Sequence, residues 1–550
     1  MIYRAFVSIS LIGFLFTASA QAPQKSATQT SLPRPKLVVG LVVDQMRWDY
    51  LYRFYDRYTE GGFKRFLQQG FTCENAYIDY VPTQTAVGHS TTYTGSVPAI
   101  HGITGNSFMM QATGKVMYCT EDSIAKSVGT TSNAGQMSPR NMLASTVSDE
   151  LKLATNFRAK VIGVAMKDRG SILPAGHAAN AAYWFDDATG NFITSTYYMT
   201  ELPAWVKAFN NQKLAEKYLK QDWNTLFPIN TYVQSTKDVN AYEGKFKGTE
   251  SASFPVKTSE LMKNGVGIVR TTPYGNTLTF DMAKAAIENE DLGKDAITDL
   301  LAVSFSSTDY IGHQFGVNSI EVEDTYLRLD RELAQFFNYL DTKIGKGAYT
   351  VFLTADHGAA HNTVFMQDQK IPAGLWNYNA SLRELNSLLQ KKYGKDKLVR
   401  SFMNLQVHLN HGLIQQSGID ENALRADCID FLKKEDAVAW VADMRNLDEA
   451  NIPVLIRERI INGYNRERSG ALQIVLKPAL YSGTGKTGSG HTVWNPYDSH
   501  IPLLWMGWGI KQGKSNAPVN MTDIAPTLAA LLRIQEPNGN IGKPITEVLK

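Results

Sequence analysis

LVVGLVV, Leu37–Val43, followed at once by Asp44, is the stretch from which the fold can be read. The run has no polar face and is dominated by β-branched Val38, Val39, Val42 and Val43. That suits a strand buried on both sides in a parallel sheet. Four further runs have the same character: KVIGVAM (160–166), LLAVSF (300–305), YTVFLT (349–354) and IPLLWM (501–506). Helical periodicity separates them. It is clearest over 326–344, where Tyr326, Leu329, Leu333, Phe336, Phe337, Leu340 and Ile344 recur at helical spacing, as on a helix laid against a sheet. Strands alternating with helices predict an α/β fold with a mostly parallel central sheet sandwiched by helices. Two intervals, about 180–272 and 363–482, break the alternation and are expected to be insertions that cap the sheet edge. The expected plan is one α/β domain over 36–550, preceded by a flexible Ser-, Thr-, Gln- and Pro-rich lead-in over 21–35.

The 550 residues are 43% hydrophobic, 19% charged and 11% aromatic, which excludes disordered, collagenous and coiled-coil classes. A formal charge of +3 is small for this length, and basic runs stop at short pairs such as Lys391 and Lys392. Neither nucleic acid nor an anionic membrane is expected as a partner. The leader reads Arg4, an apolar run over 5–16, then Thr17, Ala18, Ser19 and Ala20 before Gln21. This predicts a signal peptide cleaved after Ala20 and a periplasmic or secreted protein without a stable membrane anchor. A transmembrane anchor would need about 20 apolar residues. Cys73, Cys119 and Cys428 are too few for a disulfide framework; they allow one bridge and one free thiol, and no C-x-x-C knuckle suggests a cysteine zinc site.

The chemistry lies in the residues that terminate the apolar runs. The first run ends in Asp44, the second in Lys167, Asp168 and Arg169, the third in Ser306, Ser307, Thr308 and Asp309, the fourth in Asp356 and His357. Any one of these could serve as a helix cap or turn residue. Four together, at the carboxyl ends of parallel strands, point acids and bases at one crevice. Asp309 and His313 are one helical turn apart, and Asp356 and His357 adjoin a Gly turn. Asp with His is the donor set of zinc or a similar transition metal, whereas calcium or magnesium would call for more oxygens. Three Asp and two His leave two three-ligand sites one short. His491, in a Gly-rich loop before the last core strand, is the natural sixth, with His89, His101 and His361 as rivals. In VPTQTAVGHSTTYTG, Thr85 stands where an extended stretch gives way to helix-compatible residues, so its hydroxyl could serve as a nucleophile at a helix N-terminus; Thr83 competes. An extended strand end would place Lys167 and Arg169 on one face with Asp168 opposite.

VVDQMRWDYL (42–51), PTQTAVGHSTTYTGSVPAIHGITGN (82–106), AMKDRGSILPAGH (165–177), SSTDYIGHQFG (306–316), TADHG (354–358), SGHTVWNPYDSHIPLLWMG (489–507) and DIAPTLAALL (523–532) together resemble the alkaline phosphatase superfamily. The likeness is to PafA-type periplasmic monoesterases, in the branch shared with nucleotide pyrophosphatase/phosphodiesterases, and it spans about 37–532. It implies two Zn²⁺ per chain, one held by Asp309, His313 and His491, the other by Asp44, Asp356, His357 and the Thr85 oxygen. It also implies hydrolysis of phosphate monoesters to alcohol and inorganic phosphate through a phosphothreonine intermediate. Asn106 would donate to a phosphate oxygen, and Lys167 with Arg169 would separate monoesterases from diesterase relatives. A phosphodiesterase using the same two-zinc site is the alternative, and a non-enzymatic phosphate- or zinc-binding protein a more distant one.

Overall fold

The computed structural model describes residues 32–550; the leader expected over 1–20, and the lead-in up to residue 31, lie outside the described residues. Leu37–Val43 (β1) is buried at every position, as a run without a polar face requires. It lies inside a ten-stranded sheet made with Phe71–Cys73 (β2), Ser127–Val128 (β3), Val161–Ala165 (β4), Ala181–Asp186 (β5), Asn191–Ser195 (β6), Asp299–Phe305 (β7), Tyr349–Thr354 (β8), Leu503–Gly507 (β9) and Gly513–Ser515 (β10). The strand order is β10-β2-β9-β8-β1-β7-β4-β5-β6-β3. The five central strands, β8-β1-β7-β4-β5, are all parallel. Fully burying each of their Val, Leu, Ile and Phe side chains contributes roughly 1.5–3 kcal/mol, which makes this layer the main apolar core. Arg34–Lys550 form one compact unit.

Register sets the site. Val43 pairs with Phe305, Val42 with Thr354 and Ser304 with Ala165, so β1, β7, β8 and β4 end nearly flush. The residues just beyond those ends emerge along one edge.

The run expected over 501–506 forms β9 from Leu503, but antiparallel to β8, with Leu503 opposite Thr354. Its beginning, and hence the loop before it, therefore reaches the same edge. His500–Ile501 pairs instead with Ala76–Tyr77 in a separate three-stranded sheet. Pro502 divides the two strands, since proline has no N–H for a ladder. The helix expected over 326–344 runs from Ile320 to Leu340 and ends in a π turn, Asp341–Gly345. It begins early because Ser319 caps the backbone N–H of Val322 while Ile320 and Val322 are buried.

The interval 180–272 is not wholly an insertion, because Ala181–Asp186 and Asn191–Ser195 extend the main sheet as β5 and β6. Beyond them, Leu219, Trp223, Tyr232, Phe246 and Val256 join the same core. The interval 363–482 carries a four-stranded sheet of its own, Val399–Ser401, Gln406–Leu409, Leu472–Leu476 and Val438–Asp443 in spatial order, over a distinct apolar cluster. Cys73, Cys119 and Cys428 are buried and unpaired, so the allowance of one bridge is not used.

Candidate active site

Four helices complete the edge: Thr85–Thr94 (α1), Asp168–Ala175 (α2), Ser307–Phe315 (α3) and Ile320–Leu340 (α4). Thr85 is the first residue of α1, behind an extended Gln84 (φ −136°, ψ 155°), and is 1% exposed. The Asn106 Oδ1 accepts the Ala86 N–H at 2.9 Å, while the Asn106 N–H donates to Gln84 Oε1 at 2.8 Å. This exchange satisfies an otherwise orphan helix donor and leaves the Asn106 amide NH₂ to point elsewhere. Gly88 lets α1 press against the turn after β8: a Cβ there would stand 2.6 Å from Asp356 Cα, too close for any side chain.

Two donor groups sit at the edge. Asp44, Asp356 and His357 form one, Asp309, His313 and His491 the other, and within each group one ligand atom per residue lies within 4.8 Å of the rest. All six residues singled out from the sequence are thus brought together in two sets of three. Their imidazoles are oriented by the backbone. His357 Nδ1–H donates to Gly358 O at 2.9 Å, His313 Nδ1–H to Ser489 O at 2.9 Å and His491 Nδ1–H to Thr83 O at 2.6 Å. Each bond selects the tautomer whose free lone pair is on Nε2, the arrangement that suits a metal-ligating histidine. The His313 and His491 Nε2 atoms face one another at 3.3 Å, and Asp309 Oδ1 lies 3.1 Å from His313 Nε2.

The chemistry of these groups fits cations. Asp44 Oδ1, Asp356 Oδ2 and His357 Nε2 are buried without a hydrogen-bond partner, three acceptors converging on one place. Burial first, and then the neighbouring Asp44 carboxylate, push the Asp356 carboxyl well above the usual range. Burial, followed by His357 and His313, drives the His491 imidazole well below its ordinary pKa, so it is neutral and able to ligate. Mixed carboxylate and imidazole donors match a zinc-like ion.

The rivals have other work. His89 Nδ1–H donates to Thr85 O and its Nε2 meets Ser304 Oγ, both at 2.8 Å; burial lowers its pKa to about 4. His101 pairs with Thr91 Oγ1 and the Ile103 N–H, and His361 with Asn318 Oδ1. Thr83 donates its hydroxyl toward Asp498 Oδ2 and Val493 O, so it braces the His491 loop and does not face the donor groups.

Lys167 and Arg169 do not follow a two-residue strand period. α2 starts at Asp168, which leaves Lys167 extended (φ −88°, ψ 134°) and puts Arg169 in the first helical turn. The Lys167 ammonium lies 2.7 Å from Asp44 Oδ2 and 2.5 Å from Asp309 Oδ2, spanning the two donor groups. Burial opposes its charge, but Asp309 and Asp44 outweigh burial and hold its pKa up. Arg169 Nη1 donates to the Tyr118 hydroxyl at 2.9 Å, and that hydroxyl donates to Asp168 Oδ1 at 2.7 Å.

Sequence reasoning missed Gln45, whose N–H reaches Asp356 Oδ1 at 3.1 Å and whose Nε2 reaches Asp309 Oδ1 at 2.6 Å, linking the two groups. Adjacency to Asp44 was the available signal. Tyr118, Thr120 and Asp498 were also missed; they come from a three-residue strand, a turn and a four-residue helix, too short for periodicity to mark them.

Residues 38–500 match the family described as type I phosphodiesterase/nucleotide pyrophosphatase. A protein of Myroides odoratus named calcium-transporting ATPase is 59% identical over 524 residues, covering 94% of this chain and 95% of its own. Alkaline phosphatase PafA of Elizabethkingia meningoseptica is 53% identical over 544 residues, covering 98% of both chains. A crystal structure of wild-type PafA superposes with a TM-score of 0.93 at 54% identity, over 94% of this chain and 100% of that one. A match from residue 38 to residue 500 takes in both donor groups and the strands β1, β7 and β8 that lead into them, so the chain belongs to the type I phosphodiesterase/nucleotide pyrophosphatase family.

Proposed function

We propose that the chain is a zinc-dependent alkaline phosphatase that hydrolyses phosphate monoesters through a phosphothreonine formed on Thr85. The observation that carries this reading is the pair of Asp/His donor groups flanking the Lys167 ammonium, with Thr85 at the start of α1 beside them. Asp44, Asp356 and His357 would hold one zinc ion and Asp309, His313 and His491 the other. When bound, the two ions would lower the pKa of a hydroxyl and neutralise charge on the phosphoryl group and leaving oxygen.

The chain's own residues do the rest. The Thr85 Oγ attacks phosphorus as the ester oxygen leaves in line, giving alcohol and phosphothreonine; water then attacks from the vacated side, releasing inorganic phosphate and restoring Thr85. The Asn106 amide NH₂, freed because its oxygen is engaged by the Ala86 N–H, donates to a phosphoryl oxygen. Lys167 and Arg169 supply two cations for the remaining charged oxygens, and the positive end of α1 adds to them. Inorganic phosphate carries the same charged oxygens and is expected to inhibit. The Arg4 leader and its small-residue cleavage stretch support export to the periplasm or beyond. Among the described residues, no helix is long and apolar enough to cross a membrane.

Diester hydrolysis is the competing reaction, and the two cations, Lys167 buried and Arg169 partly buried, favour the monoester, which has one more charged oxygen to receive them. Kinetics on an aryl phosphate monoester and the diester with the same leaving group, with metal analysis of the same preparation, test the proposal. Expected are two zinc ions per chain and a preference for the monoester. A diester turned over faster, or full activity with fewer than two ions, would overturn it.

A further inference from the structure

The first turns of α4 bury Glu321, Glu323 and Asp324 completely. Two of the three are well served. Glu323 accepts from Arg57 Nη1 and Ser235 Oγ, each at 2.7 Å, and Asp324 from Trp223 Nε1 at 2.7 Å, the Leu226 N–H at 2.6 Å and Arg328 Nε at 2.6 Å. Glu321 accepts from nothing: both carboxyl oxygens are buried and without a partner. Glu243, 7% exposed, is in the same condition, again at both oxygens. Of the charges acting on Glu321, that of Glu243 is the strongest, followed by Asp238 and Asp324, all of them negative. Burial pushes the Glu243 carboxyl up to about 8, the nearby Asn240 and Thr236 side chains opposing the shift and Asp238 adding to it.

Buried carboxyl oxygens without a well-formed hydrogen bond are costly, and such groups are neutralised by a proton, paired or bound to a metal. The backbone brings the two acids to one place. The Thr236 N–H donates to Asn318 O at 2.8 Å and the Gly244 N–H to Gln314 O at 2.7 Å, laying the segment 236–244 across the α3–α4 junction that carries Glu321. The Gln234 Oε1, just before that segment, is a further buried acceptor without a partner.

We propose that Glu243 and Glu321 form a third cation site, separate from the two donor groups at the sheet edge, for a hard divalent cation of the calcium class. The donors are all oxygen, with no imidazole or thiolate, which selects calcium or magnesium over zinc. Calcium takes 6–8 oxygens in flexible geometry, so carbonyls of an irregular segment and water complete its shell more readily than they would the octahedron magnesium demands. Its place in the fold gives it a task. The Tyr242 carbonyl, one residue from Glu243, accepts the Gly488 N–H at 2.8 Å, and Ser489 O next door holds His313 Nδ1. A cation there clamps the 236–244 segment to the α3–α4 junction behind the loop that orients His313.

The test uses the full mature protein at saturating zinc in calcium-stripped buffer, with calcium itself as the probe. Expected are one calcium per chain by elemental analysis, in addition to zinc, and a Tm that rises by about 2–5 °C as calcium reaches roughly a hundred times its Kd. The double variant E243Q/E321Q should keep its zinc, bind no calcium and lose the calcium-dependent shift. A wild-type protein that retains no calcium and shows no shift would overturn the proposal, leaving the two acids as a pair sharing a proton. So would an E243Q/E321Q protein that still shows the wild-type shift. Should the double variant not fold, the wild-type stoichiometry and calcium titration decide alone.

Discussion

Replacing Lys167 or Arg169 with Ala separates their roles, because the two cations are held differently. The Lys167 ammonium is 2% exposed and touches one carboxylate of each donor group at 2.7 and 2.5 Å, whereas Arg169 touches neither group and leans on the Tyr118 hydroxyl at 2.9 Å. Each hydrogen bond to a charged phosphoryl oxygen is worth roughly 1.5–3 kcal/mol, or about 10- to 150-fold in rate when it is made mainly in the transition state. Both variants should therefore lower kcat/KM for an aryl phosphate monoester by about that factor, and change the diester with the same leaving group far less. Their effects need not multiply, since both cations serve one phosphoryl group. Stability is where they part. Without zinc, K167A leaves two buried carboxylates unopposed and should lose about 3–5 kcal/mol, a cost that bound zinc removes; R169A should show no such zinc dependence. The assays are steady-state kinetics on the matched esters and denaturant unfolding with and without zinc. A parallel fall in monoester and diester rates would refute the role of the pair in recognising the extra charged oxygen. Equal zinc dependence of stability in both variants would refute the asymmetry.

Thr85→Ala should abolish turnover while phosphate still protects the enzyme against thermal unfolding, and Thr85→Ser should retain measurable activity; a T85A enzyme near the wild-type rate would move the nucleophile elsewhere. Gly88→Ala should cost several kcal/mol of stability, on the order of an overpacked core substitution or more, and most of the activity, because its Cβ would meet the Asp356 backbone. Normal zinc content and rate in G88A would show that α1 can retreat without moving Thr85. His177 Nδ1 faces Asp149 Oδ2 at 3.2 Å and its Nε2 faces Met142 O at 2.9 Å, two acceptors that only the imidazolium satisfies together. Burial opposes that charge, but the Asp149 hydrogen bond, the Asp149 charge and the Met142 carbonyl together outweigh burial and hold the His177 pKa above its usual value. The stabilisation is then fully present below about pH 6.5 and fades as pH rises through the raised pKa. His177→Gln should lower Tm at pH 6 more than at pH 9; an equal loss at both would exclude the charged pair.

The order of residues along the chain was enough to mark five of the ten sheet strands and most of the donors. Runs such as Leu37–Val43 and Tyr349–Thr354 have no polar face, so they can only be interior strands, and residues next after parallel strands must emerge along one edge. That alone puts Asp44, Asp309, Asp356 and His357 together. The motif resemblance divided the six donors into two sets of three, and the sets assemble as such. Three features came only with folding. The direction of β9 was one, since apolar runs read alike parallel or antiparallel, yet only the antiparallel arrangement delivers His491 to the edge. The junction at Asp168 was another: a strand end and a helix start are not distinguished by the letters KDR, so the relation of Lys167 to Arg169 followed from packing. The third was the set of supporting contacts from Gln45, Tyr118, Asp498 and Ser489 and the unpaired acids Glu243 and Glu321. These join residues up to several hundred positions apart in the chain, and periodicity, which is a property of neighbours along the chain, carries no trace of partners that only folding brings into reach.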